Sequence, residues 1–121
     1  MTSTEKYEIF IAFLGREVPE IEFIEDIWNQ AIQEEFQKSS IYINVAIDER
    51  QLACVDCSQR ERGYVITAIR NPLQSPDQEL YYSSLGNVLF KVRKTLGSPY
   101  TLVVIEEADV SFFPYDPQAG R

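Results

Sequence analysis

The sequence predicts an α+β domain in which two helices pack on a mixed, mostly antiparallel sheet of five or six strands. Two amphipathic stretches with helical spacing alternate with short β-branched and aromatic runs with strand spacing. The predicted order is β-α-β-β-β-α-β-β, which is compatible with a ferredoxin-like sheet. Because 121 residues suffice for one hydrophobic core but not comfortably for two, we expect residues 1–121 to form a single compact domain.

The first strand and the first helix are predicted from residues 7–14 and 19–38. In YEIFIAFL both alternating faces are apolar apart from Glu8, which indicates a central strand covered on both sides. Pro19 suits the first turn of the helix, where its missing N–H would have no partner. The helix carries one apolar stripe at three-and-four spacing, which consists of Ile24, Ile27, Trp28, Ala31, Ile32 and Phe36.

The middle of the chain is predicted to form an antiparallel meander. Residues 41–47, IYINVAI, alternate with a period of two, and the polar residues 48–51 are expected to form a turn. Residues 52–57 would then run back as a partner strand, and GYVITAIRN at 63–71 would be the third strand.

The second helix is predicted over residues 76–96. Ser75 begins a capping-box pattern, and Gly97 followed by Pro99 is typical of a helix end. The helix should bury one side, formed by Tyr81, Leu85, Val88, Leu89, Val92 and Leu96. Whether both helices share one face of the sheet is left open by the pattern.

After the second helix, the chain is predicted to add two more strands and a tail. Residues 100–105, YTLVVI, are apolar on both faces and are expected in the middle of the sheet. Residues 106–109 should form a turn, and VSFFPY at 110–115 a final edge strand ended by Pro114. Residues 116–121 are expected to form a loose tail.

The charge of the chain is strongly negative and unevenly distributed. Nineteen acidic against eleven basic residues give a net charge of −8, which disfavours direct binding of nucleic acid. Residues 1–38 hold nine acids and three bases, a net of −6, and the remainder holds ten and eight, a net of −2. The surplus charge therefore lies on or beside the first helix.

The acidic side of the first helix is the candidate functional surface, and it is predicted to bind a basic protein partner. A rigid row of carboxylates can imitate a nucleic acid backbone or steer a basic partner to rapid association. This favours an acidic binding module, such as an immunity or inhibitor protein against a nuclease-like bacterial toxin. The predicted partner-binding residues are Glu17, Glu20, Glu22, Glu25, Asp26, Glu34 and Glu35. A purely solubilising role for the same face is the simpler alternative.

No catalytic site is predicted. The chain has no histidine, the residue most often used as a general base near neutral pH and the commonest zinc ligand. No glycine-rich phosphate loop or nucleophile elbow is present, so we expect neither an enzyme nor a cofactor or metal site. The alternative function is a small regulatory or ligand-binding α/β domain with a pocket near Tyr42, Asn44 and Tyr64.

The single Cys-x-x-Cys, Cys54 and Cys57, is interpreted as buried packing. The pair lies in a strand-like run, whereas a redox pair of the thioredoxin kind needs its first cysteine at a helix N-terminus. Two cysteines without histidine supply only half of a zinc site, so a redox or metal role is left open.

The sequence also predicts the cellular location of the protein and its oligomeric state. The acidic N-terminus lacks the features of a secretory signal, and no apolar run is long enough to span a membrane, so we expect a cytoplasmic protein that binds no membrane. It should be a monomer or a homodimer, since VSFFPY could pair with a second copy while Pro114 opposes such pairing.

Overall fold

The computed structural model describes residues 1–57 and 59–119. Within these residues, four strands and two helices follow one another in the order β-α-β-β-α-β. They are β1 (Thr2–Ala12), α1 (Ile21–Ser39), β2 (Val45–Leu52), β3 (Glu61–Ile69), α2 (Gln78–Thr95) and β4 (Tyr100–Val110). The strands form one sheet in the order β2-β3-β1-β4, which is the ferredoxin-like arrangement.

The predicted α+β class, with two helices on an antiparallel sheet, is confirmed. The predicted five or six strands are wrong, because the described residues form four. The sheet is also not mixed, since β1 pairs antiparallel with both β3 and β4, and β2 pairs antiparallel with β3.

The predicted meander is wrong at β2, which begins later and runs further than expected. Ser39 Oγ accepts a hydrogen bond from the Ile41 N–H at 3.1 Å, which ties the residues after α1 to the helix end. The polar residues expected to form a turn instead pair with β3, for example Asp48 with Val65. Residues 53–57, expected to be part of a strand, lie beyond the end of β2.

The expected turn at residues 106–109 is also wrong, because these residues continue β4. They pair with the start of β1, as Lys6 does with Glu106, so the backbone hydrogen bonds override the polar composition. β4 is an edge strand and not a central one, and Leu102 and Ile105 are about half exposed. Residues 111–115 form no strand, so the predicted sixth strand does not exist.

The α1 helix buries the stripe that the sequence predicts. Ile24 and Trp28 are fully buried and Ala31 is nearly so. Ser40 takes a left-handed conformation with φ of 59°, and its N–H donates to the Phe36 carbonyl at 2.9 Å. This C-terminal cap ends the helix one residue after its predicted end.

The α2 helix is capped by Asp77 and not by Ser75. Asp77 Oδ1 accepts hydrogen bonds from the Glu79 and Leu80 backbone N–H groups at 3.0 and 3.1 Å. Ser75 is buried before the helix, where its carbonyl accepts a hydrogen bond from the Arg70 side chain. The helix therefore begins two residues later than the capping-box pattern predicts.

Both helices cover the same face of the sheet, and one core lies between the layers. Alternate β1 residues such as Ile9 point into this core with Ile66 of β3, Trp28 of α1 and Val88 of α2. The other face of the sheet, called the open face below, carries no helix.

A buried ion pair fastens the ends of β1 and β3 to the start of α2. The Arg70 guanidinium donates to both carboxylate oxygens of Glu5, at 2.7 and 2.9 Å. Arg70 also donates to the Ser75 carbonyl, and Tyr7 donates its hydroxyl proton to Glu5. The hydrogen bonds from Arg70 lower the pKa of Glu5, while burial raises the pKa of Tyr7 to about 12.

Among the described residues, neither helix is long and apolar enough to cross a membrane. Residues 116–119 of the predicted tail lie exposed outside the helices and strands, with one turn closed by the Ala119 N–H and the Asp116 carbonyl. The last two residues of that tail, Gly120 and Arg121, lie outside the described residues.

Candidate functional site

The strand register places two rows of side chains across the open face. Phe10 pairs with Val65 on one side and with Leu102 on the other, which makes an apolar row. In the next row on this face, Arg50 pairs with Gly63, Gly63 with Ala12, and Ala12 with Tyr100. The second row thus has a long side chain at each end and small residues between them.

The small residues leave a depression between Arg50 and Tyr100. Gly63 is required here, because a Cβ would lie 2.5 Å from the Ile11 carbonyl oxygen and 2.8 Å from Leu52 Cδ1. A cavity of about 460 Å³ lies over this depression, which is within the usual range for small-molecule sites. We call it the open-face pocket, and its lining includes Phe10, Ala12, Arg50, Leu52, Asp56, Val65, Tyr100 and Leu102.

The loop between β2 and β3 forms one wall of the open-face pocket. Cys54 and Cys57 are joined by a disulfide, and the Cys57 N–H donates to the Cys54 carbonyl at 3.2 Å, so residues 54–57 form a tight turn. The prediction of buried packing is wrong, since Cys54 is exposed and Cys57 only partly buried. The reason is that the chain leaves the sheet after Leu52 and carries both cysteines away from the core.

Two charged groups of the open-face pocket have no partner within the described part of the chain. Arg50 forms no salt bridge or hydrogen bond there, and neither does Asp56. A free guanidinium can bind a carboxylate with two parallel hydrogen bonds, and a free carboxylate can bind an ammonium group. With aromatic and aliphatic groups between them, the pocket suits a ligand that has an apolar body and charges of both signs.

Tyr64, which was predicted beside a ligand pocket, has its side chain on the helix side of the sheet. Its hydroxyl donates to the Pro19 carbonyl, and its ring packs edge-on against Phe13 at 6.5 Å. Burial raises the pKa of the Tyr64 hydroxyl, so this group stays neutral at physiological pH. Its role is to hold the loop that precedes α1.

A second cavity lies where the sequence placed Tyr42 and Asn44. It has a volume of about 400 Å³ and lies between α1 and the segment that leads into β2. Its lining includes Trp28, Tyr42 and Asn44 but not Tyr64. Tyr42 and Asn44 therefore line this cavity, whereas the Tyr64 side chain is held apart from them by its hydrogen bond to the Pro19 carbonyl.

The predicted acidic surface does not form one continuous ridge. Glu17, Glu22, Glu25 and Asp26 are exposed, and Glu20 lies 3.9 Å from the Arg62 guanidinium. Glu34 is paired with Lys91 at 3.2 Å, whereas Glu35 is buried near the Asn87 amide. The described residues bring no three acidic side chains together in a way that could hold a metal ion. Binding of a basic partner by this surface stays a prediction.

The residues that shape the open-face pocket were missed by the sequence reasoning. The sequence pattern predicts a turn at Arg50 and a central strand at Tyr100, and these predictions do not bring the two residues into one row. The available signal was Gly63, a lone glycine in a strand pattern, which indicates a close approach of another group.

Comparison with known proteins identifies a family for this chain. The model of the SAM lyase family matches residues 2–114. A solved structure of a phage SAM lyase in complex with S-methyl-5′-thioadenosine is similar with a TM-score of 0.58 and 16% identity, over 86% of this chain and 81% of that chain. A structure of CPII from Thiomonas intermedia K12, bound to ADP, AMP and acetate, has a TM-score of 0.48 and 13% identity, over 91% and 90% of the two chains. No curated protein matches the sequence.

These comparisons correct two expectations. The match to an enzyme family overturns the expectation that the chain is not an enzyme, and it overturns the immunity or toxin-inhibitor function. The physical reason for the error is that absence of histidine excludes only reactions that need a general base of ordinary pKa near neutrality.

Proposed function

The chain belongs to the SAM lyase family, and on that premise we propose that it cleaves S-adenosylmethionine (SAM) in the open-face pocket. The observation that carries this placement is the row Arg50, Gly63, Ala12 and Tyr100. It combines an unpaired guanidinium with a shallow apolar floor and an aromatic wall. These groups suit SAM, because its adenosine can pack on the apolar floor and the aromatic wall while the guanidinium binds the carboxylate of its amino acid end.

In the proposed complex, the two ends of SAM lie at opposite ends of the row. Arg50 would bind the carboxylate, and Asp56 in the neighbouring loop would bind the ammonium group. Tyr100 is 54% exposed in the free protein, which leaves its ring accessible for packing against adenine. The adenosine would thus cover apolar surface that is now open to water.

The proposed reaction needs no external nucleophile. A carboxylate oxygen of SAM forms a bond to its own γ-carbon, and the bond from that carbon to sulfur breaks with its electron pair going to sulfur. The products are neutral S-methyl-5′-thioadenosine and homoserine lactone, which keeps the ammonium group. The reaction consumes no water and transfers no proton, which is consistent with a site that has no histidine.

The open-face pocket would favour this reaction through its low polarity. The reacting sulfonium and carboxylate lose their opposite charges as the new bond forms, so the transition state is less charged than the substrate. An apolar floor formed by Phe10, Val65 and Leu102 solvates separated charges poorly, which favours the less charged transition state. Arg50 would hold the carboxylate in line with the bond that breaks.

The test is to incubate the purified protein with SAM in oxygen-18 water and to measure SAM, S-methyl-5′-thioadenosine and the amino acid fragment over time. We expect the nucleoside to appear as SAM disappears, faster than with heat-denatured protein, together with unlabelled lactone. A rate equal to that of the denatured control would contradict the proposed function. Direct formation of labelled homoserine, without the lactone, would contradict the internal attack.

A further inference from the structure

The second cavity, which we call the α1–β2 groove, has features of a binding site separate from the open-face pocket. Its floor contains Trp28, which is fully buried. The indole N–H of Trp28 has no hydrogen-bond partner among the described residues. Because the indole nitrogen is itself buried away from solvent, Trp28 supplies an apolar floor and does not contact a ligand through its N–H.

Aromatic rings form one end of the α1–β2 groove. The Phe36 and Tyr42 rings lie 5.0 Å apart with their planes tilted by 54°. Tyr42 is 52% exposed, so one side of this pair is open. A planar ligand could pack against the exposed ring, and the hydrogen bonds at Ser39 and Ser40 hold the segment that carries Tyr42 in place.

The polar groups of the α1–β2 groove are mostly amides. Asn29, Gln33 and Asn44 are exposed and make no side-chain hydrogen bonds within the described residues. Glu25 is the one charged side chain of the lining, which contains no lysine or arginine. Amide side chains can hydrogen-bond to the edge of a planar ligand that carries both donors and acceptors. A phosphate or carboxylate would be disfavoured in this groove, because the lining has no cation and Glu25 would repel a negative charge.

From these features we propose that the α1–β2 groove binds an uncharged aminopurine nucleoside of the adenosine type. The planar base packs against Tyr42, its ring nitrogens accept hydrogen bonds from the amides, and its amino group donates to Glu25. The site is distinct from the open-face pocket and does not depend on SAM cleavage. It gives the protein a second place to sense purine nucleosides.

Trp28 provides a specific probe because it is the only tryptophan in the chain. The experiment titrates the intact protein with adenosine and with AMP, and follows tryptophan fluorescence excited at the red edge of its absorption, where purines do not absorb. We expect a saturable change with adenosine and about tenfold or more weaker binding of AMP. No saturable change, or equal affinity for the two ligands, would overturn the proposal.

Variants separate the two cavities. Asn44→Ala should weaken adenosine binding in the fluorescence titration, while Tyr100→Ala, which removes the ring proposed to pack against adenine in the open-face pocket, should leave it unchanged. Both residues are exposed, and thermal unfolding of each variant checks that the fold is intact. A signal that survives Asn44→Ala but disappears with Tyr100→Ala would place adenosine in the open-face pocket and refute a second site.

Discussion

Arg50→Met should lower kcat/KM for SAM by about 10- to 100-fold, which corresponds to the loss of a charge-assisted bidentate hydrogen bond. Methionine keeps much of the length and apolar surface of the arginine stem but removes the guanidinium. The effect should appear in both kcat and KM, because the carboxylate of SAM is at once the bound group and the proposed nucleophile. Steady-state kinetics with SAM measure both quantities.

Two further variants make the result specific to the guanidinium of Arg50. Arg50→Lys keeps the charge without the planar fork and should recover only part of the lost activity. Lys94→Met removes a cation from the exposed side of α2, away from the pocket, and should leave kcat/KM unchanged. Equal losses in Arg50→Met and Lys94→Met would mean that net charge, and not a contact at Arg50, controls activity.

Glu5→Gln should lower the free energy of unfolding by about 3 kcal/mol near neutral pH, since it leaves the guanidinium of Arg70 buried without a counter-ion. Both side chains of the pair are about nine-tenths buried, and the hydrogen bonds of Arg70 join three parts of the chain. Urea unfolding of the two proteins gives the difference directly.

The cost of Glu5→Gln should depend on pH in a direction fixed by the pKa of Glu5. Arg70 lowers this pKa in the folded state from the ordinary value of 4.5. The ionised carboxylate therefore stabilises the fold fully above about pH 4.5, and this stabilisation is lost as the pH falls through the lowered pKa. The stabilities of the wild type and Glu5→Gln should thus converge in acid.

The exposed pair of Glu34 and Lys91 serves as the matched control. Its N–O distance of 3.2 Å is close to those of the buried pair, but both side chains reach solvent. Glu34→Gln should therefore cause a far smaller change than Glu5→Gln. If the two variants lost similar stability, or if the cost of Glu5→Gln grew in acid, the role assigned to the buried pair would be wrong.

The helices and β1 could be predicted from the sequence because their signals are local. Ile24, Trp28 and Ala31 recur at three-and-four spacing, which places all three on one buried side of a helix. A helix also forms its backbone hydrogen bonds within its own segment, so it does not depend on a distant partner. Residues 7–12 of β1 are apolar on the core side and partly covered on the other, as expected for a central strand, but the strand begins five residues before the predicted start, which the polar residues 2–6 do not indicate.

The edge strands could not be read in the same way, because their partners lie far away in the sequence. Polar residues such as Asp48 and Glu106 resemble turns, yet they pair with strands whose register is set elsewhere in the chain. One face of an edge strand lies open to water and tolerates polar side chains. Composition therefore underestimated the length of β2 and β4.

The candidate site escaped sequence analysis for a related reason. Its residues come from four strands and a loop, and only the register brings Arg50 into one row with Tyr100. No short motif marks such a row. A reaction in which the substrate supplies its own nucleophile also leaves no pattern of acid and base residues in the chain.

The most direct test of the placement of SAM uses S-adenosylhomocysteine, which keeps the adenosine and amino acid groups but has no sulfonium to be cleaved. Titration of the nitrogen-15-labelled protein, followed by amide NMR shifts, should perturb Arg50, Gly63 and Tyr100 together. Shifts at Tyr42 and Asn44 should require a higher ligand concentration, because the α1–β2 groove offers no cation for the carboxylate. Shifts confined to the α1–β2 groove or to the helices, with none at those three residues, would contradict a substrate site on the open face.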